Sequence, residues 1–172
     1  MRCFVAVDLD TSLRPALIEL QHTLQDGIPV APENLHFTLK FLGEIDEAAI
    51  AVVSDTLVRI AAQTAAFPLV IQGLGAFPTM RAPRIAWLGA PALLNLQLLV
   101  DETLAPRFPR EQDLVPHLTI TRFREPPTNY AIFARRHEQL ALHMRVVDIR
   151  LKRSTLTARG PVYEDVKVFP LS

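Results

Sequence analysis

The sequence has a single cysteine, no long apolar run and no excess of either charge. With only Cys3 available, an internal disulfide is excluded. The richest apolar stretch, residues 93–100, contains Asn95 and Gln97 and is far shorter than the roughly 20 residues that cross a bilayer. The segment 1–8 reaches an acidic residue before an apolar signal core could form. We therefore expect a cytoplasmic protein without a membrane span.

The 18 basic and 18 acidic side chains cancel, so the field of the whole molecule cannot hold a long polyanion. A short nucleic acid contact remains open, since four arginines could form a local basic patch: Arg122, Arg124, Arg135 and Arg136. Glycine-rich phosphate loops of the Walker or Rossmann kind are lacking. Cys3 and the scattered histidines do not have the short ligand spacing of a zinc site. We expect neither a metal nor a cofactor.

What the chain does have is enough apolar sequence, 49% of 172 residues, to bury a core. Periods of two and of 3.6 residues alternate along it. They predict strands at 3–8, 35–42, 67–72, 85–88, 115–123 and 146–154. They also predict four helices: one at about 13–24, one that begins at Asp46, one at 93–104 and one near 129–139. Gly160 and Pro161 then separate two alternating runs and predict a closing hairpin.

The two halves of this pattern have the same order, βαβαβ. Phe4 and Ile85, His36 and His117, and Phe67 and Asp148 are each 81 positions apart. We infer an internal duplication, with one repeat at about 1–78 and the other at about 79–172, in a single two-lobed domain of α+β class. Sequence identity between the halves is low outside one shared His-x-Thr motif, so a chance match is the alternative.

That motif is His36-Phe37-Thr38 in the first half and His117-Leu118-Thr119 in the second. Each lies on an alternating strand, so histidine and threonine share one face while the residue between them points into the core. If the halves are related by a pseudo-two-fold axis, both pairs meet in a cleft between the lobes. Two imidazoles supply a base and an acid near neutral pH, and the threonine hydroxyls of Thr38 and Thr119 can bind phosphate oxygens.

Three neighbours are candidate substrate contacts. Lys40 falls on the His36 face in strict alternation and could meet phosphate, although a solvated lysine is the simpler interpretation. Phe41 could stack on a base, as could Trp87, although core packing accounts for both. Arg122 falls on the face opposite His117, so it reaches the site only if a bulge or bend intervenes.

The His-x-Thr pair resembles the signature of the 2H phosphoesterases, and among them the bacterial and archaeal RNA 2′,3′-cyclic phosphodiesterases once called 2′-5′ RNA ligases. The resemblance extends over nearly the whole chain and includes the segments 2–7, 32–43, 73–78 and 160–163 and the closing 169–171. It implies a bilobal fold with an antiparallel sheet in each lobe. It also implies that His36 is the proton donor, that His117 is the proton acceptor and that the product is a 2′-phosphate.

The expected substrate is an RNA 3′ end or a short nucleotide. Ligation through a 2′-5′ linkage and hydrolysis of other cyclic nucleotides stay open, as does a non-catalytic module that only binds RNA ends. A cleft built within one duplicated chain needs no protein partner, so we expect a monomer.

Overall fold

The computed structural model describes residues 1–24 and 26–172, which form nine strands and four helices. The strands are β1 (Arg2–Asp8), β2 (Gly27–Pro29), β3 (His36–Glu44), β4 (Phe67–Pro78), β5 (Pro83–Gly89), β6 (His117–Phe123), β7 (Ala141–Val146), β8 (Asp148–Thr157) and β9 (Gly160–Pro170). The helices are α1 (Arg14–Thr23), α2 (Glu47–Gln63), α3 (Leu94–Leu104) and α4 (Tyr130–Arg136).

Local sequence accounts for most of these elements. Asp46 begins α2 as its N-cap, where its side chain accepts a hydrogen bond of 2.8 Å from the backbone N–H of Ala49. Along α2, Val53, Leu57 and Ile60 recur at helical spacing and are buried. The short strands β2 and β7 were not predicted, because three residues, or six beside a second strand, give too little periodicity to recognise.

All strand pairs are antiparallel. The order across the sheet is β7-β4-β5-β6-β3-β1-β8-β9, with β2 beside β6. We call β3, β1, β8 and β9 the first lobe, and β6, β5, β4 and β7 the second lobe. A single residue pair, Phe37 with Leu118, joins β3 to β6. The predicted α+β class with antiparallel strands is confirmed.

The lobes do not coincide with the two halves of the sequence. Strand β4 belongs to the first half but pairs with β5 and β7 in the second lobe. Strand β8 belongs to the second half but pairs with β1 and β9 in the first lobe. The third strand of each sequence repeat therefore crosses to the other lobe, and a boundary near residue 78 divides the repeats without dividing the sheet.

The helices pack against the sheet face that carries Phe37 and Leu118, both almost fully buried. Helices α2 and α3 contact strands of the first lobe, and α1 and α4 contact strands of the second. The opposite face, which we call the open face, carries His36 and His117. Across residues 1–24 and 26–172, no helix combines the length and the apolar character that crossing a membrane requires.

Candidate active site

Both His-x-Thr motifs meet at the centre of the sheet. Phe37 of β3 pairs with Leu118 of β6, so the residues flanking them turn together to the open face. Extending this antiparallel register by one residue sets His36 opposite Thr119 and His117 opposite Thr38. The structure thus brings the four predicted side chains of the two motifs to one place.

The two imidazoles are held by equivalent backbone carbonyls. Nδ1 of His36 lies 2.6 Å from the carbonyl oxygen of Asn34, and Nδ1 of His117 lies 2.6 Å from that of Val115. A carbonyl oxygen only accepts, so we assign the proton of each neutral ring to Nδ1. Nε2 is then the nitrogen available for proton transfer in both rings. Nε2 of His36 lies 3.0 Å from the hydroxyl oxygen of Thr38.

Aromatic rings surround each histidine. The His36 ring packs against Phe4 at 5.0 Å and edge-on to Tyr163 at 5.2 Å between centroids. The His117 ring packs edge-on to Phe77 at 5.1 Å and lies 5.8 Å from Trp87. These walls restrict the orientation of both imidazoles and remove water from their sides.

Gly75 makes room for the Trp87 wall. A Cβ atom at this position would lie 2.1 Å from the indole ring of Trp87, so no other residue fits without displacing it. The hydroxyl of Tyr130 donates a 2.7 Å hydrogen bond to the Gly75 carbonyl oxygen and fixes the strand beneath the ring. Trp87 therefore packs against His117 and is not a core residue alone.

Burial lowers the pKa of both histidines below the ordinary value, because it penalises the charged imidazolium. At His36, the Asn34 carbonyl and the Asp8 carboxylate oppose this effect, while Lys152 and His117 add to it. At His117, the Val115 carbonyl opposes it and Arg122 adds to it. Burial therefore favours the neutral form of both rings.

Sequence reasoning missed the charged network beside His36. Asp8 of β1 pairs with His36 across the strands. Its carboxylate lies 2.9 Å from Nζ of Lys152 and 3.0 Å from Nη1 of Arg150, and Asp165 bridges the same two cations. Two cations at i and i+2 on β8, Arg150 and Lys152, indicate a charged sheet face. Their carboxylate partners could not be predicted, because they come from two other strands.

The expectation that Lys40 shares the His36 face is wrong. Ala6 pairs with Thr38 and Val5 pairs with Lys40, so Leu39 is an extra residue and β3 bulges there. The bulge inverts the alternation and turns Lys40 toward the helices, where it is 1% exposed. It forms a buried ion pair with Asp101 and donates a 2.8 Å hydrogen bond to the Pro109 carbonyl oxygen.

The same bulge moves Phe41 to the open face, contrary to the expectation of core packing. Phe41 is 64% exposed and its ring centroid lies 6.3 Å from that of Phe4, which in turn packs on His36. An exposed aromatic ring of this size beside a histidine is available to stack on a flat group.

A matching bulge in β6 brings Arg122 to the His117 face. Trp87 pairs with Thr119 and Ala86 with Thr121, which leaves Ile120 as the extra residue. Arg122 is exposed and its charge acts on His117. Strict alternation predicts that Arg122 reaches the site only if β6 contains a bulge or bend, and the structure contains a bulge there. Arg122 is the 81-residue equivalent of Phe41, so the two bulges are part of the duplication.

The arrangement suits displacement at phosphorus. Two Nε2 atoms can exchange protons with an attacking and a departing oxygen, and two hydroxyls can donate to oxygens that carry charge. In the described part of the chain, no three His, Cys, Asp or Glu side chains group in a way that could hold a metal ion.

The sequence is similar to those of known phosphoesterases. The family described as LigT-like phosphoesterase matches residues 7–87. The chain is 39% identical to an RNA 2′,3′-cyclic phosphodiesterase of Archaeoglobus fulgidus, over 98% of this chain and 99% of that protein. It is 30% identical to the RNA 2′,3′-cyclic phosphodiesterase of Thermotoga maritima, over 95% of this chain and 92% of that protein.

The fold is similar to those of solved structures. A protein from Thermus thermophilus has a TM-score of 0.82 with 30% identity, covering 99% of this chain and 98% of that one. LigT of E. coli, solved in complex with 3′-AMP, has a TM-score of 0.76 with 26% identity, covering 99% of this chain and 98% of that one.

Proposed function

Because the chain belongs to the LigT-like phosphoesterases, the 2H family that includes the RNA 2′,3′-cyclic phosphodiesterases, we propose that it opens the 2′,3′-cyclic phosphate at RNA 3′ ends and leaves a 2′-phosphate. The observation that supports this proposal most directly is the Phe37–Leu118 pair. It is the reason that two imidazoles and two hydroxyls stand around one point on the open face.

In the proposed reaction His117 acts as the base. Its Nδ1 proton is engaged by Val115, so the unprotonated Nε2 can accept a proton from water as the water oxygen attacks phosphorus. The positive charge of Arg122 disfavours a proton on the free imidazole. His117 therefore suits the role of a group that must start neutral.

His36 acts as the acid in the same step. The bond between phosphorus and O3′ breaks, and O3′ takes the proton from Nε2 of His36 to become a hydroxyl. Since Nδ1 is already protonated, the ring must be an imidazolium to donate from Nε2. The carbonyl of Asn34 and the carboxylate of Asp8 stabilise that cation. Each proton transfer contributes on the order of 10²- to 10⁴-fold in rate.

The remaining open-face side chains bind the substrate. Thr38 and Thr119 donate hydrogen bonds to the non-bridging phosphate oxygens, which carry negative charge through the transition state. Phe41 stacks on the base of the terminal nucleotide, since it is the exposed aromatic ring on the His36 face. Lys40 has no place among these contacts, because it is buried against Asp101.

Phosphorus NMR of a short RNA ending in a 2′,3′-cyclic phosphate, incubated with the protein in EDTA, tests the proposal. We expect conversion to a 2′-phosphomonoester. His36→Ala and His117→Ala should each lower the rate by about 10²- to 10⁴-fold, and His22→Ala, on the exposed side of α1, is the matched control.

No turnover by the wild-type protein, or full activity of either site variant, would overturn the proposal. Loss of wild-type activity in EDTA alone would indicate a metal-dependent reaction. A 3′-phosphate product would show that O2′, and not O3′, is the leaving oxygen. A 2′-5′ linkage between two RNAs would indicate ligation.

A further inference from the structure

The neutral total charge of the chain conceals an uneven distribution. The second lobe, with α4 and the connections between its strands at 79–82 and 124–140, contains seven arginines and two glutamates. The seven are Arg81, Arg84, Arg122, Arg124, Arg135, Arg136 and Arg145, and all are exposed. None of them lies in an ion pair with a described residue. In the first lobe Lys40, Arg150, Lys152 and Arg153 lie in ion pairs, and Arg2 and Lys167 do not pair within the described part of the chain.

Three of these arginines lie at one end of the open face. Arg122 pairs with Ile85 across β6 and β5, so both side chains point to the open face, while Arg84, next to Ile85, points to the helix side. Arg124 follows the end of β6, and Arg81 lies in the connection from β4 to β5. We call Arg81, Arg122 and Arg124 the arginine end. Arg122 lies five positions after His117 along β6, which is about 16 Å.

The opposite end of the open face has a different character, although the fold is duplicated. There, Phe41 occupies the position equivalent to Arg122. The segment that leads into β6 on that side contributes Glu111 and Asp113. The duplication therefore supplies two similar exits from the catalytic centre. The arginine end carries three arginines that form no ion pair with a described residue, whereas the other end carries one, Arg2, which lies opposite Glu44 across β1 and β3.

We propose that the RNA strand on the 5′ side of the reacting nucleotide leaves the site across the arginine end, so that the preferred substrate is an oligonucleotide and not a cyclic mononucleotide. This inference rests on the proposed function. When the terminal nucleotide is held by its cyclic phosphate, the RNA chain extends from it only on the 5′ side. That chain carries one negative charge per nucleotide. Exposed arginines without carboxylate partners are the groups that bind such a backbone.

Steady-state kinetics on two substrates tests the path. The substrates are a 2′,3′-cyclic mononucleotide and an RNA of about eight nucleotides with a 2′,3′-cyclic phosphate end. The test variant is Arg81→Gln/Arg124→Gln, which leaves Arg122 and its effect on His117 intact. The matched control is Arg59→Gln/Arg159→Gln, which removes two exposed arginines from α2 and from the turn between β8 and β9.

For the wild-type protein we expect kcat/KM to be higher on the oligonucleotide and to fall as salt rises. Two phosphate contacts on a single strand give a logarithmic salt slope of about −1.4, or about a sevenfold loss between 50 and 200 mM salt. The test variant should lose this part of the slope and the matching part of the oligonucleotide advantage. Its rate on the mononucleotide should change less than about twofold, and the control should resemble the wild type.

Equal loss on both substrates, or an unchanged salt slope in the test variant, would overturn the inference and leave the arginines for another acidic partner. These failures differ from failure of the proposed function, which would appear as wild-type protein inactive on both substrates.

Discussion

Phe37 pairs with Leu118 across the centre of the sheet, and each residue is the 81-position equivalent of the other. A residue that pairs with its own counterpart lies on the pseudo-two-fold axis of the duplication. Each half of the chain therefore presents its histidine and threonine to the same point from opposite sides. One backbone pair thus connects the architecture of the duplication to the chemistry of the site.

Replacing Phe37 with alanine should lower the free energy of unfolding by about 3–5 kcal/mol, because the ring is 1% exposed and leaves a cavity under both motifs. Urea denaturation measures the loss. Phe41→Ala is the matched control, since it removes the same side chain four residues later on the same strand. Phe41 is 64% exposed, so we expect a change within about 0.5 kcal/mol. Equal losses in the two variants would contradict the inverted alternation of β3.

Much of the site could be predicted from the sequence, because period and spacing are local properties. The constant separation between Phe4 and Ile85, and between His36 and His117, indicated the duplication. The alternation around Phe37 and Leu118 placed each histidine with its threonine. The structure brings the two pairs together in the way that a pseudo-two-fold axis requires.

What could not be predicted depends on contacts between distant segments. The bulges at Leu39 and Ile120 are set by the partner strands β1 and β5, and each bulge reverses the faces of the residues that directly follow it on its strand. Strict alternation therefore misplaced Lys40 and Phe41. The exchange of β4 and β8 between the lobes, and the contact of Asp8 with Lys152, 144 positions apart, leave no local signal.

Lys40→Met should cost about 3–5 kcal/mol in unfolding free energy, since Asp101 would stay buried without its partner. The double variant Lys40→Met/Asp101→Leu should recover most of this loss, because it removes the isolated charge. Glu102→Gln breaks the exposed pair with Arg110 on the same segment and should cost less than about 1 kcal/mol. Urea denaturation of the three variants checks the prediction. A double variant as unstable as Lys40→Met would show that packing, and not the unpaired charge, dominates.

The pH dependence of kcat/KM should be bell-shaped with its maximum on the acidic side of 6.5. The rate rises as His117 loses its proton and falls as His36 loses its own, and burial lowers the pKa of both histidines. A cyclic mononucleotide assayed between pH 4 and 9 gives both limbs. A maximum above pH 7 would contradict the assigned desolvation.

Arg122→Gln should move one limb of that profile and not the other. Arg122 lowers the pKa of His117, so removing its charge raises that pKa and shifts the acidic limb to higher pH. The alkaline limb belongs to His36, on which Arg122 is not among the acting charges. The same assay detects the shift. Movement of the alkaline limb instead would exchange the roles of the two histidines.

His36 should also make the stability of the protein depend on pH. Its pKa is lowered in the folded state. Below about pH 6.5 the imidazole of the unfolded chain is therefore protonated more readily than that of the folded chain. The unfolded state then holds more protons, and stability falls as the pH falls through the folded pKa. The contribution is fully present above the unfolded pKa. Urea denaturation at intervals from pH 7.5 to 5 should show this decline.

His36→Asn removes the titrating group and keeps a polar side chain, so its stability should decline less over the same interval. Desolvation is the largest cause of the shift, and the walls formed by Phe4 and Tyr163 are close to the ring. Phe4→Ala, which opens one wall to water, should therefore also flatten the curve, although it lowers stability at every pH. If His36→Asn kept the full wild-type slope, the pH dependence would come from other groups, and the buried state of His36 would not resist protonation.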